Sequence, residues 1–212
     1  MPLKRFAFVL GLLLLPFCIT AVAQKAEAAF VAGGSFVSDS NFSFTISCTI
    51  PPCFTDSGTL QSGRHVFVEG NPAVQVIDAK GAKLHFEVPI VGIPSHSVQL
   101  SDFQFAVDHL SSVFVTPALR LKLLPGSAIA PFGSFGAGWA HYGVDNGSNN
   151  SFAVQFGGGV EFKSGIPHLG FRGEVRDFVT GAPNFGGGSF HLNTHGLRRH
   201  NILPGGGVVL KF

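Results

Sequence analysis

The chain has 212 residues, 45% hydrophobic and only 12% charged, with 28 glycines, 13 prolines and 23 phenylalanines. Once Lys4 and Arg5 leave with a signal segment, 12 basic side chains face 12 acidic ones, a balance that implies no nucleic-acid partner. No stretch after residue 23 approaches the roughly 18 uninterrupted apolar residues of a membrane helix, so any spanning falls to strands, and the length fits one domain.

Residues 1–23 read as a signal peptide: Lys4 and Arg5 supply the positive start, Phe6 to Leu15 the apolar run, and Ala21-Val22-Ala23 a small-x-small cleavage site. Cleavage is expected before Gln24, or alternatively after Ala28, which leaves 24–212 as the barrel domain. Cys18 makes a poor lipoprotein signal, because Phe17 is too large for the position before a lipid-modified cysteine.

Period-two alternation then predicts strands near 29–37, 65–79, 82–92, 112–123, 129–142, 151–163, 168–179 and 202–212. The segment after the first holds Cys48 and Cys53 among Thr, Ser and Pro; in an exported chain they are expected to form a disulfide closing a small loop. The connections alternate in length. Lys80-Gly81, Pro125 to Ala128 and Ser164 to Pro167 are short, whereas about 38–64, 93–111, 143–150 and 180–201 are long. With an even strand count every short turn falls at one end, together with both termini, as in outer-membrane barrels.

Each strand has one apolar face. The third sets Leu84, Phe86, Val88 and Ile90 against Lys83, His85 and Glu87; the fourth sets Val115, Leu119, Leu121 and Leu123 against Thr116, Arg120 and Lys122. In the sixth, Phe152, Val154, Phe156, Val160 and Phe162 oppose Gln155, Glu161 and Lys163; in the seventh, Leu169, Phe171 and Val175 oppose Arg172, Glu174 and Arg176. A soluble barrel turns the apolar face inward and a membrane barrel turns it outward, and periodicity alone does not distinguish them. The signal peptide, the sorted loops and a terminal strand carrying Val208, Leu210 and Phe212 favour the membrane. The expected fold is therefore all-β: a closed antiparallel up-and-down eight-stranded transmembrane β-barrel.

Eight strands enclose only enough room for side chains. Lys83, Glu87, Arg120, Lys122, Glu161, Lys163, Arg172, Glu174 and Arg176, with Lys211, are then expected to face inward and pair as a charged plug, since an unpaired charge away from water is costly. Gly133, Gly136, Gly138 and Gly157 to Gly159 permit bending and make room for large neighbours; with no helix pattern after them they do not read as a phosphate loop.

The segment Ala130 to Trp139, the run Phe156-Gly157-Gly158-Gly159-Val160, Phe171 to Phe178 and the final Gly207 to Phe212 resemble the outer membrane protein beta-barrel domain family, of the small OmpA-like and OmpX-like type. The resemblance implies a monomer in a Gram-negative outer membrane, in contact with its lipid and assembled by the barrel assembly machinery through the C-terminal strand. It also implies a structural or surface-contact role, with an unknown ligand at the long loops as a further option. Trp139 and Tyr142 are the only amphipathic aromatics, which predicts thin interfacial girdles.

Two constellations could carry chemistry. His191, His195 and His200 share the last long loop, but Arg198 and Arg199 would repel a metal ion, and solvated loop histidines are the expectation. His141 and Ser151 lie across one loop, with Asp145 nearby, as a lipid-modifying barrel enzyme would need. Polar strand ends serve solvation equally well, so no catalytic residue, cofactor or metal is assigned. The leading expectation is an integral outer-membrane barrel with a structural or interaction role. A secreted soluble barrel that binds an apolar ligand and a lipid-modifying enzyme are the alternatives.

Overall fold

The computed structural model describes residues 25–38, 40–46, 55–61, 64–100, 106–144, 147–181, 186–187, 190–193 and 198–212. The signal segment and the Cys48–Cys53 pair lie outside the described residues. The strands are β1 (Ala26–Val37), β2 (Ser40–Ile46), β3 (Thr55–Gln61), β4 (Arg64–Ala79), β5 (Ala82–Glu87), β6 (Ile90–Leu100) and β7 (Ala106–Val115). They continue with β8 (Ala118–Leu123), β9 (Ile129–Val144), β10 (Gly147–Lys163), β11 (Leu169–Gly181), β12 (Gly186–Gly187), β13 (Phe190–Asn193) and β14 (Arg198–Lys211).

Antiparallel pairings run β1–β4–β5–β8–β9–β10–β11–β14 and return to β1, so eight staves close on themselves. Closure removes the exposed sheet edges and satisfies every stave from both sides, the condition for crossing hydrocarbon with strands. The eight expected strands correspond to these staves, with two of them split. β5 and β6 form one stave interrupted at Val88-Pro89, and β7 and β8 form its neighbour, interrupted at Thr116-Pro117. Proline has no N–H to give to a ladder, but its carbonyl still accepts. Val88 N donates to Pro72 O at 3.0 Å, Thr116 N to Pro89 O at 3.3 Å and Ala137 N to Pro117 O at 3.2 Å, which carries the ladder past the breaks.

The turns at the short end are tight. Gly81 takes φ 89°, a left-handed conformation that costs glycine little, and Leu124 N donates to its carbonyl at 2.9 Å. At the other end the segments expected as loops contain more strand than the sequence reading assigned. β6, β7, β9 and β10 extend into them, and β12, β13, β2 and β3 pair in series onto β6. The period-two signal was present there: Phe42, Phe44 and Ile46 alternate with Asn41, Ser43 and Thr45. Serine and asparagine also favour turns, which masks so short a pattern.

The two faces of the wall are inverted relative to a soluble protein. Phe152 is 68% and Phe135 64% exposed on the outside, while Arg120 is 0% and Arg176 1% exposed inside. Such a surface is stable only against hydrocarbon, because water would penalise the exterior phenylalanines and lipid would penalise the arginines. Small residues set the interior volume at two close approaches. A Cβ on Gly205 would come within 2.7 Å of Cζ of Phe67, and one on Gly157 within 2.9 Å of Cγ of Arg176.

The wall predicts a depth-dependent cost for outward charge. Phe135→Arg, near mid-height of β9, is expected to destabilise by about 2–4 kcal/mol and Ile129→Arg, beside the short turn, by about 0–1 kcal/mol. Reversible denaturant unfolding in phospholipid vesicles checks this; equal costs at the two positions would contradict a lipid-facing belt.

Candidate functional site

Inward side chains from all eight staves meet in the half of the barrel nearer the short turns. Arg120, on β8, contacts Glu27 of β1 and Glu161 of β10 at 2.6 Å each, and Glu87 of β5 at 3.1 Å. Lys122 reaches Glu27 at 2.7 Å and Glu161 at 2.8 Å. On β11, Arg172 contacts Glu161 at 2.7 Å, and Arg176 contacts Glu87 at 2.9 Å, Glu174 at 3.0 Å and Glu69 of β4 at 3.3 Å. Lys211 of β14 approaches Glu161 at 3.5 Å.

Neutral groups complete the packing. Phe132 of β9 lies beneath two guanidiniums, with Arg172 at 5.0 Å and Arg120 at 5.6 Å from its ring centre. Asn71 Nδ2 donates to Glu87 at 3.0 Å, and Gln155 Nε2 to Ser134 Oγ at 2.9 Å. Five carboxylates thus surround Arg120, Lys122, Arg172 and Arg176 with little charge left over. Charge-assisted contacts of this length between buried groups are strong individually and interdependent as a set.

Seven of the nine residues expected inside take part: Glu87, Arg120, Lys122, Glu161, Arg172, Glu174 and Arg176. Lys83 and Lys163 do not. Lys83 pairs with the exposed Asp78 at 3.3 Å, and Lys163 is exposed and donates to the Gly126 carbonyl. Both stand on the short-turn rim, where a flexible ammonium reaches water or a turn carbonyl more cheaply than the crowded interior. His85, already on the polar face of its strand, approaches Glu27 at 3.7 Å. Sequence reasoning missed Glu27, which precedes the expected start of the first strand, as well as Glu69 and Asn71. Their signal was the alternation Glu27, Ala29, Val31 and Phe67, Glu69, Asn71, Ala73, every member of which faces inward.

Toward the long-loop end an aromatic cluster replaces the ion pairs, with buried Arg199 placing its guanidinium 5.9 Å from the Tyr142 ring centre. Phe67, Phe114, Phe178, Leu203 and Tyr142 are all buried; Phe114 packs on Phe178 at 4.9 Å and edge-on to Tyr142 at 6.0 Å. Tyr142 is therefore no girdle residue: its hydroxyl is 2.7 Å from Thr180 Oγ1 inside the barrel. Trp139 does face outward, stacked on His141 at 5.4 Å.

The proposed catalytic neighbours do not converge. His141 Nδ1 lies 2.8 Å from Asn150 Oδ1, while Ser151 stands opposite Ala140 and its hydroxyl is directed at the Phe152 and Gly181 carbonyls. Asp145 and His195 lie outside the described residues. His200 pairs with Asp177 at 2.7 Å on the outer surface. His191 belongs to the ribbon strand β13.

Glu161→Ala strips a shared acceptor from Arg120, Lys122 and Arg172 and is expected to destabilise by about 3–5 kcal/mol. Lys163→Ala, at the rim, is expected to stay within about 0.5 kcal/mol. Unfolding midpoints of the two variants in vesicles measure the contrast, and an unchanged midpoint for Glu161→Ala would contradict a coupled network.

No family model matches the chain, and no curated protein matches it. Among solved structures, the Neisserial surface protein A aligns with a TM-score of 0.54 at 13% identity, over 89% of this chain and 97% of that one. The outer membrane protein OprG from Pseudomonas aeruginosa aligns with a TM-score of 0.51 at 12% identity, over 90% and 96% respectively. At such identities the likeness is one of fold: the chain has the architecture of a small outer-membrane β-barrel.

Proposed function

We propose that this chain is an integral outer-membrane barrel of a Gram-negative bacterium, with a structural or surface-interaction role and an interior closed by its own ion pairs. One observation carries the reading: arginines and glutamates from non-adjacent staves pair inside the lumen, Arg176 and Glu87 from directly opposite ones, while phenylalanines cover the outside. A soluble barrel that carries an apolar ligand needs the reverse arrangement. The fold shared with two outer-membrane proteins supports the location, and the OmpA-like and OmpX-like resemblance supports a monomer.

The charge network also bears on maturation. Cleavage after Ala28 would remove Glu27, which contacts Arg120 and Lys122, whereas cleavage before Gln24 retains it. We therefore favour Gln24 as the first mature residue. Contact with other surfaces is assigned to the long-loop end, where β2, β3 and β13 add a strand ribbon to the barrel.

Outer-membrane fractions analysed by gel electrophoresis are expected to show a faster-migrating unboiled band that shifts on boiling. Planar-bilayer recordings of the same protein are expected to show no sustained conductance steps. Recovery in aqueous fractions without detergent would remove the membrane reading, and steady conductance would remove the closed interior while leaving the barrel intact.

A further inference from the structure

The arginines are distributed unevenly over the wall. Arg120, Arg172, Arg176 and Arg199 are buried inside, whereas Arg64 and Arg198 are exposed at the long-loop end. Strand alternation directs these two outward: Arg64 shares its face of β4 with exposed Val66 and Val68, and Arg198 its face of β14 with His200 and exposed Ile202. β4 and β14 flank β1; Arg64 stands beside its Phe36, and Arg198 lies three residues beyond Asn201, where the β1–β14 ladder ends, opposite Gly181 of β11.

Register brings the group together. Phe36 of β1 lies opposite Arg64 on one side and Ile202 on the other, and the Arg64 guanidinium sits 5.4 Å from the Phe36 ring centre. One step toward the loops, Ser38 N donates to the His200 carbonyl at 2.9 Å, and His200 N donates to Ser38 Oγ at 3.0 Å. The Asp177 carboxylate accepts from His200 Nδ1 at 2.7 Å, which fixes the imidazole and leaves Nε2 for another partner. Three staves at this spacing span roughly 10 Å across, and Arg198 stands roughly 13 Å further along β14 than Ile202, the position level with Arg64, so the two guanidiniums bracket His200 from below and above.

Below this patch the wall is apolar, with Phe36, Val66, Ile202 and Phe156 exposed on it. Above it the strands leave the belt. A cation at that level meets lipid headgroups, and guanidinium favours the paired oxygens of a phosphate. At similar height β7, β9 and β10 turn Ser111, His141, Gly143 and Asn150 outward, so among the described residues this side of the barrel holds both outward arginines.

We propose that Arg64, Arg198 and His200 form an exterior site for the phosphate of a lipid headgroup in the outer leaflet, with Phe36, Val66 and Ile202 receiving the acyl chains beneath it. This rests on the membrane reading above. Asp177 is a positioning residue that holds His200.

The test titrates the full mature protein in maltoside micelles with bisphosphorylated lipid A, with its dephosphorylated form and with inorganic phosphate. Arg64→Ala and Arg198→Ala are each expected to weaken lipid A binding about fivefold, equivalent to about 1 kcal/mol. Lys80→Ala, at the opposite rim, is expected to leave it unchanged. Equal affinity for the dephosphorylated lipid, equal loss in Lys80→Ala, or inorganic phosphate binding as tightly as the lipid would each overturn the site. Heat-modifiable mobility of the same preparations separates the two readings: its loss in the parent protein indicts the barrel, and its retention beside unchanged binding in both arginine variants indicts the site alone.

Discussion

Arg120 and Arg176 are fully enclosed by a ring of eight staves, and each must take its counter-charges from strands far away in the chain. Arg120, on β8, depends on β1, β5 and β10; Arg176, on β11, depends on β4 and β5 as well as its own Glu174. Glu87 belongs to both sets, and it ties the two arginines into one network. Taking so many charges out of water is expensive, and pairing them does not guarantee a net gain in stability. Their direct effect is on register. A one-residue slip of β8 or β11 would turn an arginine into lipid and a phenylalanine or leucine into the lumen. Each such arginine would cost about 2–4 kcal/mol near mid-membrane, before counting the carboxylates it abandons. Ring closure and charge pairing therefore specify one another.

The lumen is divided into two tiers, and the division follows from what each stave can supply. Near the short turns the inward positions carry long charged chains, and β14 and β10 answer them with Gly207, Gly159 and Gly157. Near the long loops they carry Phe67, Phe114, Phe178 and Tyr142 together with Arg199, and Gly205 and Gly33 make room for Phe67. Large and small residues face each other across the ladder, as a narrow barrel requires when side chains must fill it. The proline breaks at Pro89 and Pro117 lie between the tiers, next to each other in the sheet, where neighbouring N–H groups still find the proline carbonyls.

Much of this was legible beforehand. The alternation of Arg172, Glu174 and Arg176 with Phe171 and Val175 gave both strand and faces, and the sorting of turn lengths located the two ends. Glu27 was harder to read because it follows closely on a signal segment and is surrounded by Ala26, Ala28 and Ala29, where apolar contrast is weak. Lys83 and Lys163 have the same parity as the network residues, yet parity carries no information on height, and at the rim a lysine can reach water. Tyr142 shows a related limit. Its sequence neighbours suggest an interfacial aromatic, but the step of two from Ala140 puts it on the inner face, where its hydroxyl and that of Thr180 share a hydrogen bond. Sequence alternation reports the side of the wall; the level along it depends on register with other strands.

With Tyr142 inside, the outer surface has few side chains that mark a membrane boundary, because phenylalanine has no polar tip to hold at the interface. The boundary must then be read from where outward polarity begins. On β10 the apolar face runs from Phe162 to Phe152, with Ser164 beyond one end and Asn150 beyond the other; on β9 it runs from Ile129 to Trp139, followed by His141. Both runs cover the same number of steps. At a strand rise of about 3.3 Å and a tilt of about 40°, each rises roughly 25 Å, the height of the apolar band of outer-membrane barrels. Two neighbouring staves thus give the same thickness independently, and the polar groups just beyond it, His141, Asn150, Arg64 and His200, stand at the level where hydrocarbon gives way to headgroups.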